Sequence, residues 1–395
     1  MSRLREMIKE LCPDGVEYRK LGEIAEIIRG NGLQKKDFVD SGVGCIHYGQ
    51  IYTKYGAFAD ETLTYVSPEL AATLKKVSTG DLVVAITSEN VEDVCKCVAW
   101  LGNDDIVTGG HAAIVKHEQN PKYLSYIFQT EEFFRQKRKY VIGTKVIEMS
   151  PKKLAEIIIP VPPLPIQNEI VKMLDNFTEL TAELTAELTA ELLLRKKQYE
   201  YYRARLLSFE KEQIEWVKIE SICSIQRGRV MSKGYIAENK GNYPVYSSQT
   251  ENNGELGRIS SFDFEGEYLT WTTDGANAGT VFYRDGKFSV TNVCGLLKVK
   301  SDALLTKYLY YVLSIEAPKY VNSGMGNPKL MSNVMACVKI PLPLLKRQKE
   351  IVTILDRFDT LCNDLTQGLP AEIAARKKQY EYYRDKLLTF PRKDA

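Results

Sequence analysis

Histidine is scarce in this chain, with His47, His111 and His117 the only three in 395 residues. The eight cysteines are scattered through apolar surroundings and only Cys95-Lys-Cys97 is a close pair, so no Cys/His set has the spacing of a zinc site. Thiols placed this way suit reduced, buried positions better than a disulfide framework. No apolar run approaches the ~18 residues that cross a bilayer, and Met1-Ser-Arg-Leu-Arg-Glu-Met-Ile-Lys-Glu10 has no apolar signal core. These absences predict a soluble, cytoplasmic chain without a bound metal. Net charge is also small: 53 Lys and Arg against 51 Asp and Glu leave +2, so any phosphate-binding charge has to be gathered in patches. Catalytic signatures are missing as well. There is no Asn-Pro-Pro-Tyr methyltransferase motif and no Walker loop, Gly30-Asn-Gly32 lacks the third glycine of a dinucleotide fingerprint, and Glu238-Asn-Lys240 has no acidic partner before it. No catalytic residue is assigned.

Glycine and proline are both absent from Gln167 to Phe209. Within that stretch Thr178-Glu-Leu180 is followed by three Thr-Ala-Glu-Leu units and then by Arg195-Lys-Lys-Gln-Tyr-Glu-Tyr-Tyr-Arg203. Ala, Leu and Glu are strong helix formers and Pro165 suits a first turn, which predicts one helix of about 40 residues and roughly 60 Å. Leu180, Leu184, Leu188 and Leu192 recur every four residues. Each therefore turns about 40° past the last, and the stripe winds round the axis and calls for a partner helix.

The sequence supplies that partner by repeating itself. Ile159-Pro-Val-Pro-Pro-Leu-Pro-Ile-Gln-Asn-Glu-Ile-Val-Lys-Met-Leu-Asp175 returns 181 positions later as Ile340-Pro-Leu-Pro-Leu-Leu-Lys-Arg-Gln-Lys-Glu-Ile-Val-Thr-Ile-Leu-Asp356. At the same offset Arg195 to Arg203 recurs unchanged as Arg376 to Arg384, and Leu206-Leu-Ser-Phe209 becomes Leu387-Leu-Thr-Phe390. The second copy carries Gly368-Leu-Pro370, which should break its helix after about five turns and start a new one. The halves also open alike, Leu21, Ile24 and Arg29-Gly30 matching Ile219, Ile222 and Arg227-Gly228.

Between these landmarks lie two modules of mixed α/β character that share little sequence. Gly80–Thr87 and Gly266–Thr273 read as strands. Asp274-Gly275 and Asp285-Gly286 are turn signals that predict a hairpin around Thr280–Tyr283. Pro121–Gln129 and Thr306–Ser314 read as corresponding helices of the two halves, and each module ends in a glycine-containing loop, 143–150 and 324–332. The expected fold class is α+β: two mixed α/β modules joined by two long antiparallel helices that form a coiled-coil spacer, with an internal pseudo-two-fold repeat. The joined arrangement is preferred over helices folded back on their own modules, because a ~60 Å helix exceeds what a module with a radius of gyration of ~14 Å covers.

The Ile-Pro-x-Pro lead, the Gln-x-Glu-Ile-Val…Leu-Asp residues, the Thr-Ala-Glu-Leu units and the twin Arg-Lys-Lys-Gln-Tyr-Glu-Tyr-Tyr-Arg ends together closely resemble the specificity subunit of type I restriction-modification enzymes. That resemblance covers essentially the whole chain. It implies target-recognition domains at 1–158 and 214–339 and conserved helical spacers at 159–213 and 340–395. Each domain is then expected to read one half of a split, asymmetric site in double-stranded DNA, with spacers that set the gap and dock two methyltransferase subunits. Motor-endonuclease subunits are implied as further partners, and S-adenosylmethionine, ATP and Mg²⁺ belong to those partners, so no cofactor is expected on this chain.

Polar loops with small residues permit close approach to base edges. The candidates for DNA contact are Tyr48, Gln50, Thr87, Ser88, Thr144 and Lys145 in the first module. In the second they are Ser247, Ser248, Gln249, Thr273, Asp274, Asn277, Asn327 and Lys329. The basic run Arg135-Gln-Lys-Arg-Lys139 reads as a phosphate contact or as a plain solvated helix face. Tyr199, Tyr202, Tyr380 and Tyr383 lie on the repeated frame and are assigned to helix packing or partner docking. A stand-alone nuclease or methyltransferase, and a coiled-coil scaffold without DNA specificity, remain the rival readings of the residues alone.

Overall fold

The computed structural model describes residues 2–209, 213–322, 324, 326–364 and 366–393. Met325, in the segment 324–332, and Leu365, in the spacer 340–395, lie outside them. The chain divides into two compact units, one of residues 1–187 with 373–395, the other of residues 188–372.

In the first unit two sheets carry the module. One runs in the order Ala25–Arg29, Ala112–His117, Leu82–Ala85, Cys97–Trp100, Phe58–Ala59, and the other Thr64–Val66, Val43–Ile46, Ile106–Thr108, Lys75–Val77. Val43–Ile46 and Ile106–Thr108 pair in parallel inside an otherwise antiparallel sheet. The second unit repeats the plan. Its sheets run Cys223–Arg227, Cys294–Val299, Tyr268–Thr272, Val281–Arg284 and Glu255–Ile259, Lys240–Tyr246, Lys287–Val290, Phe264–Glu265, again with one parallel pair, Lys240–Tyr246 with Lys287–Val290. A third pairing closes each module, Tyr18–Lys20 with Ile158–Pro160 and Trp216–Lys218 with Lys339–Pro341.

The shared Arg-Gly is explained by close backbone approach. A Cβ on Gly30 would sit 2.3 Å from the Gly109 carbonyl oxygen, and one on Gly228 would sit 1.7 Å from that of Val290. The predicted hairpin forms across Asp274-Gly275, where Tyr268–Thr272 pairs with Val281–Arg284. Asp285-Gly286 does something else: Lys287–Val290 leaves for the second sheet instead of folding back on its neighbour. A turn signal marks a change of direction, and the apolar pattern on either side decides the partner.

The long helix spans Leu164–Leu206, 43 residues, or about 65 Å of rise. Its counterpart is broken, as Gly368 and Pro370 require, into Leu345–Asn363 and Leu369–Leu387. At the break a Cβ on Gly368 would lie 2.4 Å from the Thr360 carbonyl oxygen. Helix pairing is antiparallel within each unit. Phe177 meets Tyr383 at 6.4 Å and Thr178 Oγ1 lies 2.9 Å from the Tyr380 hydroxyl in the first, while Tyr199 and Tyr202 both meet Phe358 in the second.

The winding of the leucines has a visible result. Leu180 is 61% exposed and Leu184 is exposed too, whereas Leu188 and Leu192 are half-buried. The expectation that one partner helix buries the whole stripe is therefore corrected. In the first unit Thr181 and Thr185 are the half-buried members of the repeat, and the Thr185 hydroxyl is turned back to the Thr181 carbonyl at 2.8 Å.

Each module core continues into the base of its helix. Ile166, Ile170 and Leu174 are buried with Tyr123, Leu124 and Ile159, and Ile351 and Leu355 with Tyr308, Leu309 and Ile340. A fully buried side chain of this size contributes about 1.5–3 kcal/mol. The first unit also receives the C-terminal segment: Val16 N–H donates to the Pro391 carbonyl at 2.9 Å, and Lys393 N–H donates back to Val16 at 3.0 Å.

Candidate nucleic-acid interface

In the first module the polar candidates are carried by a short helix, a short strand and a loop beside the two sheets. His47 caps the short helix Tyr48–Thr53, its Nδ1 accepting from Gly49 N–H at 3.2 Å while Gln50 Oε1 accepts from His47 N–H at 3.0 Å. Gln50 Oε1 is also 3.3 Å from the Thr64 hydroxyl, so that oxygen is already engaged inside the fold. Burial pushes the His47 imidazole below its usual range, with Lys35 and His111 adding to the effect. Tyr48 lies between the two histidine rings, 4.5 Å from His47 and 4.9 Å from His111.

Thr87 and Ser88 form a short buried strand paired with Ile147–Glu148. The Thr87 carbonyl accepts from the Tyr52 hydroxyl, and its own hydroxyl lies 3.0 Å from His111 Nδ1. Thr144 and Lys145 are exposed in the loop after Gly143, which the reciprocal Ile142 and Glu148 backbone bonds close. Tyr48, Thr87, Ser88, Asn90 and His111 line one open cavity of about 400 Å³, and Val146 brings the Thr144–Lys145 loop to its edge.

The second module gathers its candidates through hydrogen bonds. The Ser248 hydroxyl donates to the Val293 carbonyl and accepts from Thr273 N–H at 3.1 Å, and the Thr273 hydroxyl donates to the same carbonyl at 2.7 Å. Ser247 Oγ lies 3.0 Å from the Thr291 hydroxyl, and Gln249 Nε2 donates to the Glu255 carbonyl at 2.6 Å. Asn277 Nδ2 donates to the Thr250 hydroxyl at 3.0 Å. Asp274 forms an antiparallel backbone β-bridge with Lys329, next to the Gly275 N–H bond to the Pro328 carbonyl at 3.0 Å, and Asn327 and Lys329 are exposed. Thr273, by contrast, is 2% exposed, so its place is in the frame of this cluster.

One reading of the basic residues changes, and the repeated tyrosines take the helix-packing role expected of them. Lys137 does not face solvent: it is 4% exposed and donates to the Glu92 and Val94 carbonyls at 2.9 and 2.6 Å, and burial lowers its affinity for a proton. Its neighbour Arg135 is paired with Glu132 at 2.5 Å. Tyr199 is buried, which raises its phenol to about 12, and with Tyr202 it packs on Phe358, while Tyr380 and Tyr383 face Thr178 and Phe177. The most exposed tyrosines of the repeated motif are Tyr201 and Tyr382, 58% and 60% exposed, with Tyr383 at 40%.

The residues that sequence reasoning missed are His111, Tyr52 and Asn90 in the first module and the turn Thr291-Asn-Val293 in the second. For His111 and for Thr291-Asn-Val293 the available signal was positional: each turn joins a strand of one sheet to a strand of the other at the same place in the plan. Among the described residues no group of three or more His, Cys, Asp or Glu side chains converges as a metal site, and no helix is long and apolar enough to cross a membrane.

The family model described as type I restriction modification DNA specificity domain matches residues 13–194 and again 211–375. The chain belongs to this family. A putative type I specificity subunit of Mycoplasma pneumoniae is 49% identical over 238 residues, covering 58% of this chain and 92% of that one. A putative type I restriction enzyme specificity subunit of Haemophilus influenzae is 34% identical over 308 residues, 74% of this chain and 76% of its own. Among solved structures, a chain from a study of type I R-M complex assembly superposes with a TM-score of 0.67 at 17% identity, over 95% of this chain and 97% of that one. The HsdS subunit from Thermoanaerobacter tengcongensis gives 0.54 at 17% identity, over 96% and 97%. The likeness to these two structures is one of fold. The two specificity domains of the family model each take in one module of this chain together with helix that follows it.

Proposed function

We propose that this chain is the DNA-reading subunit of a type I restriction-modification complex and has no active site of its own. Residues 1–158 and 214–339 each read one half of a bipartite, asymmetric site in double-stranded DNA. Residues 159–213 and 340–395 are the spacers that set the gap and dock two methyltransferase subunits. Motor-endonuclease subunits complete the complex, the partners hold S-adenosylmethionine, ATP and Mg²⁺, and the complex works in the cytoplasm. The observation that carries this reading is one two-sheet plan built twice, with polar connecting segments gathered in each module and different side chains on them. A constant frame with unlike turns is what two unlike half-sites require.

Methylome sequencing of cells that express this chain with its methyltransferase tests the proposal, and a bipartite motif is expected. Deleting Thr185 to Leu188 removes ~6 Å of helical rise, which against ~3.4 Å per base pair should shorten the gap by one or two base pairs and leave both halves unchanged. Altered bases in either half would refute the spacing role. DNA cleavage or methyl transfer by the purified chain alone would refute the non-catalytic one.

A further inference from the structure

His111 closes the turn Gly109-Gly-His between the strands Ile106–Thr108 and Ala112–His117. The backbone of that turn is pinned at three points. Ala112 N–H donates to the Gly109 carbonyl at 2.9 Å, Arg29 Nε donates to Gly110 at 3.0 Å, and Ile86 N–H donates to His111 itself at 3.0 Å. The imidazole is exposed yet held on two sides, by the Tyr48 ring at 4.9 Å and by the Thr87 hydroxyl, 3.0 Å from Nδ1. An exposed side chain fixed in this way has lost its rotamer freedom during folding, so binding does not have to take it.

The buried hydroxyl decides the direction of that bond. Thr87 is 5% exposed, and its hydroxyl has one hydrogen, for which His111 Nδ1 is the recorded partner among the described residues. Leaving a buried donor unpaired is unfavourable, so Thr87 donates, Nδ1 accepts, and the proton of the neutral ring sits on Nε2. We infer that His111 is a base-reading residue of the first module, its Nε2–H donating to a major-groove acceptor, and that Thr87 is the positioning residue that fixes its tautomer. The acceptor is a purine N7, guanine O6 or thymine O4; cytosine shows only its amino donor in that groove and is the base rejected. This inference rests on the reading of the module as a DNA reader. The matching turn of the second module, Thr291-Asn-Val293, presents Val293, 37% exposed, where the first has histidine. A valine suits a thymine methyl and offers no hydrogen bond. One position in the plan thus carries two chemistries.

The test is selection from a duplex library randomised across both half-sites, using the full chain assembled with its methyltransferase subunits. H111A is expected to reduce discrimination at one base pair of one half-site roughly five- to tenfold, with every other position and the whole second half-site retained. H111Q, which keeps an N–H donor, restores part of that preference. T87V, close in shape but without the hydroxyl, frees the tautomer and admits cytosine at the same position. An unchanged motif in H111A overturns the inference. So does a loss spread over the half-site in both H111A and H111Q when their melting temperatures match the parent. If T87V fails to fold, the two His111 variants decide. A wild-type complex with no sequence preference sinks the module reading first, and is distinguishable because no motif then exists to be altered.

Discussion

The base of the long helix and the base of Leu345–Asn363 are held by corresponding Gln, Tyr, Asp and Lys side chains, while the turns of the two modules have almost no side chain in common. Gln167 Nε2 donates to Gln119 Oε1 and to the Pro162 carbonyl, both at 2.7 Å, and its Oε1 accepts from Asn120 N–H at 3.0 Å. Gln348 repeats this with Ala303 at 2.7 Å, Pro343 at 2.8 Å and Leu305 N–H at 2.9 Å. Tyr123 and Tyr308 donate to the Pro160 and Pro341 carbonyls, each at 3.1 Å. Tyr126 and Tyr311 donate to Asp175 and Asp356, which also pair with Lys122 and Lys307. Duplication has kept the joint and released the turns. The repeated Gln-x-Glu-Ile-Val…Leu-Asp motif is therefore a record of how a module is fastened to its helix.

If the two joints are equivalent, Gln167→Ala and Gln348→Ala should each cost about 2–4 kcal/mol, since each strands several buried partners. Denaturant unfolding of the two variants checks this, and a gap between them well above 1 kcal/mol would break the equivalence. Acid sharpens the comparison, because His117 in the first module occupies the place of Val299 in the second. Burial holds His117 down to about 4, and its Nε2 has no hydrogen-bond partner among the described residues. Between about pH 4 and 6.5 the unfolded chain binds a proton that the folded one refuses, so stability rises with pH across that window and is lost as pH falls through it. The loss is on the order of 2–3 kcal/mol, and H117V should abolish it in melting curves taken from pH 7 to pH 4.

Smaller effects distinguish the pairs further. Tyr126→Phe and Tyr311→Phe are each expected to cost about 1–2 kcal/mol, with Tyr311→Phe the costlier. Lys122 lies 2.7 Å from Asp175, whereas Lys307 lies 3.6 Å from Asp356 and compensates less. Equal costs would show that the lysines do not contribute. On the long helix, Leu180→Lys should change stability by less than about 0.5 kcal/mol and Leu192→Lys by about 2 kcal/mol. The reverse order in a thermal melt would contradict the exposure pattern of the stripe.

Much of the frame was legible because it depends on local rules. A gap in glycine and proline gave Leu164–Leu206, and Gly368-Leu-Pro370 gave the break. The constant 181-residue offset identified the second copy of the joint. What the joint does was hidden, since Gln167 works on Gln119 and Asn120 across 47 or 48 positions. Lys137 was misread because a run of cations looks solvated. It stands four residues after buried Phe133, on the same face of the helix, and that spacing was the available clue. In the first module the polar cluster was half legible. Tyr48, Thr87 and Ser88 share a cavity, but a lone histidine after two glycines carries no pattern that announces it.

The second copy is interrupted at Gly368-Leu-Pro370 whereas Leu164–Leu206 is one continuous helix, and the two are expected to respond differently to inserted residues. Residues added at the break are expected to leave the phase of the helices on either side intact, whereas an insertion in the continuous helix turns every side chain beyond it by about 100° per residue. An engineer seeking a neutral place for a tag or a fluorophore would therefore choose the break.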